Sequence, residues 1–125
     1  MKTFRRSLLP ALLLLAGCGA RGVAGEACTK TGFVCQDTST ALECRDGTWM
    51  ALPCRGTGGC TESSGSILCD MAGNLAGDGC ASTSEGKGLC SGDGRATLEC
   101  KSGSLVATNA CSSCSVTGDQ VVCSQ

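Results

Sequence analysis

Twelve cysteines follow Cys18 in this 125-residue chain, and they fall as two sixes, at positions 28, 35, 44, 54, 60, 69 and 80, 90, 100, 111, 114, 123. The intervals run in parallel, 7, 9, 10, 6, 9 against 10, 10, 11, 3, 9. The text between them repeats too. Ala41-Leu42-Glu43-Cys44 answers Thr97-Leu98-Glu99-Cys100, Arg45-Asp46-Gly47-Thr48 answers Lys101-Ser102-Gly103-Ser104, and Ser66-Ile67-Leu68-Cys69 answers Gln120-Val121-Val122-Cys123. Matching residues in matching order identify an internal duplication. The modules are placed at 28–69 and 80–123, and residues 70–79 (DMAGNLAGDG) read as an exposed linker. From Cys18 onward only 15 of 108 residues are Leu, Ile, Val or Phe. Cross-links must therefore stand in for a conventional core.

The expected fold class is small, disulfide-rich and all-β, with each module a short antiparallel sheet. Asp46-Gly47 is a strong type I′ hairpin signal, because both central positions need positive φ, and Ser102-Gly103 is its weaker equivalent. A two-residue turn sets Arg45 against Thr48, Cys44 against Trp49 and Leu42 against Ala51. Alternation then places Leu42, Cys44, Trp49 and Ala51 on one face, with Glu43, Arg45 and Met50 on the other. Leu98, Cys100, Leu105 and Ala107 form the matching face of module 2. Ser66–Cys69 and Gln120–Cys123 read as third strands. Six cysteines allow 15 pairings. Spacing favours only a fourth-to-fifth bridge, since Cys54-Cys60 and Cys111-Cys114 each close a small loop.

Composition narrows the chemistry. The chain has no histidine, which removes Ser-His-Asp and Cys-His nucleophiles and any His-containing zinc site. Cys111-Ser112-Ser113-Cys114 lacks the βαβ setting of a redox pair and reads as framework. It is also the sole Cys-x-x-Cys spacing, where a zinc ribbon wants two. The carboxylates are scattered singly, without the spacing of a calcium loop or the cleft that a glycosidase pair requires. No catalytic residue, metal or cofactor is expected, and the chain is read as a non-enzyme.

At the N-terminus, Lys2, Arg5 and Arg6 precede a short apolar run from Leu8 to Ala16. That run is too short for a bilayer span and fits an export signal. Leu15-Ala16-Gly17-Cys18 resembles a bacterial lipobox. The resemblance implies a signal peptide over 1–17, cleavage before Cys18, and lipidation of the Cys18 thiol and the new amino group; the alternative is ordinary cleavage after Ala20. Residues 18–27 then form a short flexible tether, and the membrane is a partner through the lipid. Gly19, in place of aspartate, points by the same resemblance to the outer membrane of a bacterial cell envelope. The mature chain keeps seven cations against eleven carboxylates, a net charge of −4, which argues against nucleic acid as a partner.

Cys44-Arg45-Asp46-Gly47-Thr48-Trp49, followed by Cys54-Arg55-Gly56-Thr57-Gly58-Gly59-Cys60 and Cys69, resembles small cysteine-rich chitin-binding modules. These include the modules of fungal chitinases and, more loosely, the peritrophin type. The texture is also similar to cysteine-rich lipoproteins of predatory and soil bacteria. The peritrophin resemblance implies the bridges Cys28-Cys44, Cys35-Cys69 and Cys54-Cys60, with Cys80-Cys100, Cys90-Cys123 and Cys111-Cys114 in module 2. It also implies sugar stacking on exposed aromatics, for which Trp49 and Phe33 are the candidates. Against them stand Leu105 and Leu89 in module 2, which favour packing roles for both rings. The expected function is a non-catalytic envelope lipoprotein that binds a polysaccharide or a surface protein. The alternative is a structural coat protein, or an inhibitor using the loop Arg55–Gly59. Exposure of Trp49 discriminates between sugar binding and scaffold.

Overall fold

A computed structural model describes residues 22–125. The expected signal peptide 1–17 and the expected lipidation site Cys18 lie outside the described residues. The protein is a small disulfide-rich all-β structure of four antiparallel sheets. In module 1, β1 (Gly32–Asp37), β2 (Thr40–Arg45) and β3 (Thr48–Pro53) form a three-stranded sheet in that order, and β4 (Cys60–Ser63) pairs with β5 (Ser66–Cys69) in a separate hairpin. Module 2 repeats the plan. β6 (Gly88–Cys90), β7 (Ala96–Lys101) and β8 (Ser104–Ala110) make the sheet, and β9 (Ser113–Thr117) with β10 (Gln120–Ser124) makes the hairpin.

The central hairpins have the expected register. Cys44 stands opposite Trp49 and Leu42 opposite Ala51; Cys100 stands opposite Leu105 and Leu98 opposite Ala107. Asp46 and Gly47 take φ of 51° and 79°, and Ser102 and Gly103 take 51° and 82°, as a type I′ turn demands. The third strand of each sheet is a correction. Ser66–Cys69 and Gln120–Cys123 pair within their own hairpins, and β1 and β6 take the third places. Ser64-Gly65, with φ of 49° and 78°, folds β5 back on β4 before it can reach the main sheet.

That turn also overturns part of the bridge pattern. The bridges are Cys28–Cys44, Cys35–Cys60 and Cys54–Cys69, then Cys80–Cys100, Cys90–Cys114 and Cys111–Cys123. Cys35-Cys69, Cys54-Cys60, Cys90-Cys123 and Cys111-Cys114 are therefore replaced. Cys60 and Cys69 are direct cross-strand partners, as are Cys114 and Cys123, so each pair projects from one face of its hairpin. One sulfur reaches the outer strand of the sheet and the other its far end, buckling hairpin to sheet at two points. The loop 54–60 is closed by hydrogen bonds instead. The Cys54 and Cys60 amides donate to the Ser39 and Thr38 carbonyls at 2.8 Å, and Gly59 donates to Gly56.

Module 1 buries both faces of its sheet. Leu42 is fully enclosed on the Cys44 face, while Cys35, Ala41 and Leu52 form the core with Cys54 and Cys60 on the other. In module 2 the core is Cys80, Leu98, Cys100 and Leu105. Thr97, the counterpart of Ala41, is buried but polar, hydrogen-bonded to the Thr108 hydroxyl at 2.7 Å.

Candidate functional site

The repeat begins before its first cysteine. The Gly25 amide donates to the Trp49 carbonyl, Trp49 to Glu26, and Cys28 to Gly47. In module 2, Gly77 donates to Leu105, Leu105 to Asp78, and Cys80 to Gly103. Gly25 and Gly77 share a positive φ of 87° and 93°. Val23-Ala24-Gly25-Glu26-Ala27-Cys28 thus corresponds to Leu75-Ala76-Gly77-Asp78-Gly79-Cys80. This is a sequence signal that boundaries drawn at cysteines overlook. Two expectations change accordingly. Residues 22–27 of the tether are docked along β3, with the Ala24 amide also held by the Gln36 side chain at 2.9 Å. Residues 74–79 of the linker are the first segment of module 2.

That segment is built into module 1. Asn74 is completely enclosed. Its side-chain oxygen accepts from the Arg55 amide at 3.1 Å, and its side-chain nitrogen donates to the Pro53 carbonyl at 2.8 Å. Arg55 donates through Nε and Nη2 to the two oxygens of buried Asp78 at 2.7 and 2.8 Å. This forked guanidinium bond holds the Asp78 carboxyl below the ordinary carboxylate range, against the opposing effect of burial. Nearby, Glu43 accepts from Arg45 and from both the amide and hydroxyl of Ser82, while Arg45 donates to the Cys80 carbonyl at 3.0 Å. Burial pushes the Glu43 carboxyl up, but the Ser82 and Arg45 hydrogen bonds outweigh it and hold it low. The modules are therefore one packed body, and 70–79 is not an exposed linker.

A preformed apolar cleft of about 240 Å³ opens at this junction, walled by Phe33, Leu52, Ile67, Met71 and Ala81 among others. Phe33 faces it because register puts Phe33 opposite Glu43, on the Ala41–Leu52 face. Trp49 lies on the other face, with Val34 and Leu42. The two aromatic candidates are thereby separated, although Phe33 also borders the shallow groove between residues 27–34 and the indole. Register also corrects a correspondence. Val34 stands opposite Leu42 as Leu89 does opposite Leu98, so Leu89 answers Val34 and Phe33 answers Gly88. Trp49 is half-buried, and Gly22 lies so close to it that any side chain there would meet the ring.

The loop Arg55–Gly59 is rigid but occupied from within. Asp70 accepts from the Gly58 amide at 2.9 Å, and the Asp70 main chain bonds Gly56 and Gly59. The Gly58 and Ala72 amides hold the Asp70 carboxyl low. Arg55, the side chain an inhibitor would present, is directed into the junction. Among the described residues, no group of three or more Cys, Asp or Glu is placed to hold a metal ion. No protein-family model, curated protein or solved structure matches the chain.

Proposed function

We propose that this chain is a non-catalytic lipoprotein of a bacterial cell envelope. The signal peptide 1–17 is removed, Cys18 carries the lipid that holds the chain to the outer membrane, and the two-module body binds a surface protein. The observation that carries the binding reading is the cleft between the modules. It is apolar, preformed and framed by strands that bridges and buried hydrogen bonds keep in place, so a guest side chain meets little ordering cost. Polysaccharide is the alternative: Phe33 and Trp49 project from opposite faces of the sheet, although both border the shallow groove along residues 27–34. Catalysis has little to draw on. The described cysteines are all bridged, and the buried carboxylates Glu43 and Asp78 are engaged in the junction.

The test has two arms in the native host. A photo-crosslinking residue replacing Phe33 is expected to give a discrete protein adduct that the same residue at exposed Val106 does not give. In parallel, wild-type protein is sedimented with chitin, cellulose and peptidoglycan. Retention abolished by Trp49→Ala, with no adduct at Phe33, would overturn the protein-partner reading in favour of sugar binding. Loss of detergent-phase partitioning in Cys18→Ser is expected from the lipid anchor, and full retention would refute it.

A further inference from the structure

Resting on the lipid-anchor reading, we propose a second interaction surface: the Trp49 face of module 1 lies against the headgroup layer of the membrane that Cys18 enters. The described chain starts on this face. Gly22 abuts the indole, and residues 25–28 continue along β3 through the hydrogen bonds to Trp49 and Gly47. Only four residues lead from Cys18 to Gly22. Even fully extended they span at most about 14 Å. The interfacial layer on each side of the hydrocarbon is itself roughly 5–8 Å deep. A lipid on the Cys18 thiol therefore leaves the indole within, or just above, that layer, and any bend in the four residues draws it further in.

The chemistry of the face suits that position. Trp49 is half-buried, with Gly22 against the Nε1 edge of its ring, and tryptophan is a residue favoured at the membrane–water boundary. Val23, about half exposed, follows Gly22 in the chain. Lys30 borders the same groove as the indole in a chain that is acidic overall, and anionic headgroups attract such a cation. In module 2 the position of Trp49 is held by Leu105, which is buried, so only the first of the two faces offers a part-exposed ring to the bilayer. The cleft at the junction opens on the opposite face of the sheet, away from the bilayer, where a surface partner can reach it.

Trp49 is the sole tryptophan, and the chain has no tyrosine, so intrinsic fluorescence reports this one position. Mature lipidated protein is reconstituted into phosphatidylethanolamine–phosphatidylglycerol vesicles, with and without phospholipids brominated near the top of the acyl chain. Flotation confirms binding. Relative to soluble Cys18→Ser protein, the expected result is at least twofold quenching by the brominated lipid, a blue-shifted emission and at least twofold weaker quenching by acrylamide. A ten-residue Gly/Ser insertion between Gly19 and Ala20 is expected to float equally well and to lose the brominated-lipid quenching. Flotation with acrylamide access as in the soluble protein and no brominated-lipid quenching would overturn this inference alone. Failure of the mature protein to float would overturn the lipid anchor, and this inference with it.

Discussion

The amide of Asn74 is fully enclosed and answers two backbone groups of module 1 at once, the Arg55 N–H and the Pro53 carbonyl. Truncation leaves both without a partner in a site that has little room for water. Asn74→Ala is expected to cost about 1–3 kcal/mol of stability, read as a lower urea midpoint with an unchanged slope. Asn74→Asp is expected to cost at least as much near neutral pH, because a carboxylate oxygen replaces the donor facing Pro53. Nothing local in the sequence marks Asn74, since its importance comes from a backbone segment 19 to 21 residues away. Asp78 is different. The shared Ala-Gly-Asp/Glu-x-Cys string places it in register with Glu26, but the two have opposite fates: Glu26 is exposed, while Asp78 meets Arg55. The repeat predicts where the backbone goes, and only the packing of the copies decides which carboxylate is buried.

At the level of strands and turns, what could be read depended on the range of the cause. The central hairpins follow from two-residue turns and period-two alternation, both local, and their register is as expected. The separate hairpins β4–β5 and β9–β10 depend on Ser64-Gly65 and on the Gly118-Asp119 corner, which are weaker turn signals than Asp46-Gly47, and the bridge pattern depends on those hairpins. Spacing measures loop size but says nothing of which face a sulfur occupies. Cleavage of unreduced protein after Arg, Lys and Glu separates Cys35, Cys54, Cys60 and Cys69 onto different peptides. Mass spectrometry is expected to find residues 31–43 joined to 56–62, and 46–55 joined to 63–85. A 46–55 to 56–62 linkage would restore the fourth-to-fifth bridge. The turns allow a second test. Ser102 holds φ of 51° without the side chain best suited to it, and asparagine tolerates that left-handed region better. Ser102→Asn is expected to stabilise the protein by roughly 0.5 kcal/mol, with no gain from the same change at Ser104, which lies in the strand.

Across the whole molecule, two carboxylates join modules that the duplication alone would leave as beads on a string. Glu43 reaches Ser82 from module 1, and Asp78 reaches back to Arg55 from module 2. Both carboxyls are held below their ordinary range in the folded state. The unfolded chain then binds protons more readily than the folded one as pH falls through the ordinary carboxylate values near 4. The stabilisation is fully present above those values and is lost as pH drops through the lower folded-state values. Exposed Asp37 and Asp93, held low by hydrogen bonds from Ser39 and Ser91, and half-buried Asp70, held low by the Gly58 and Ala72 amides, add to the same acid loss. The bridges keep each module cross-linked throughout, so the junction is expected to give way before the modules do. Urea midpoints measured from pH 7 to pH 2 should be flat above about pH 5 and fall steeply below pH 4. A Glu43→Gln, Asp78→Asn double variant should start lower and fall less, since Asp37, Asp70 and Asp93 remain to titrate. Small-angle scattering at pH 2.5 supplies the geometric half of the test. Separation of the modules there, with compactness restored at pH 7, is the expected result; an unchanged radius of gyration would place the acid-sensitive step inside the modules.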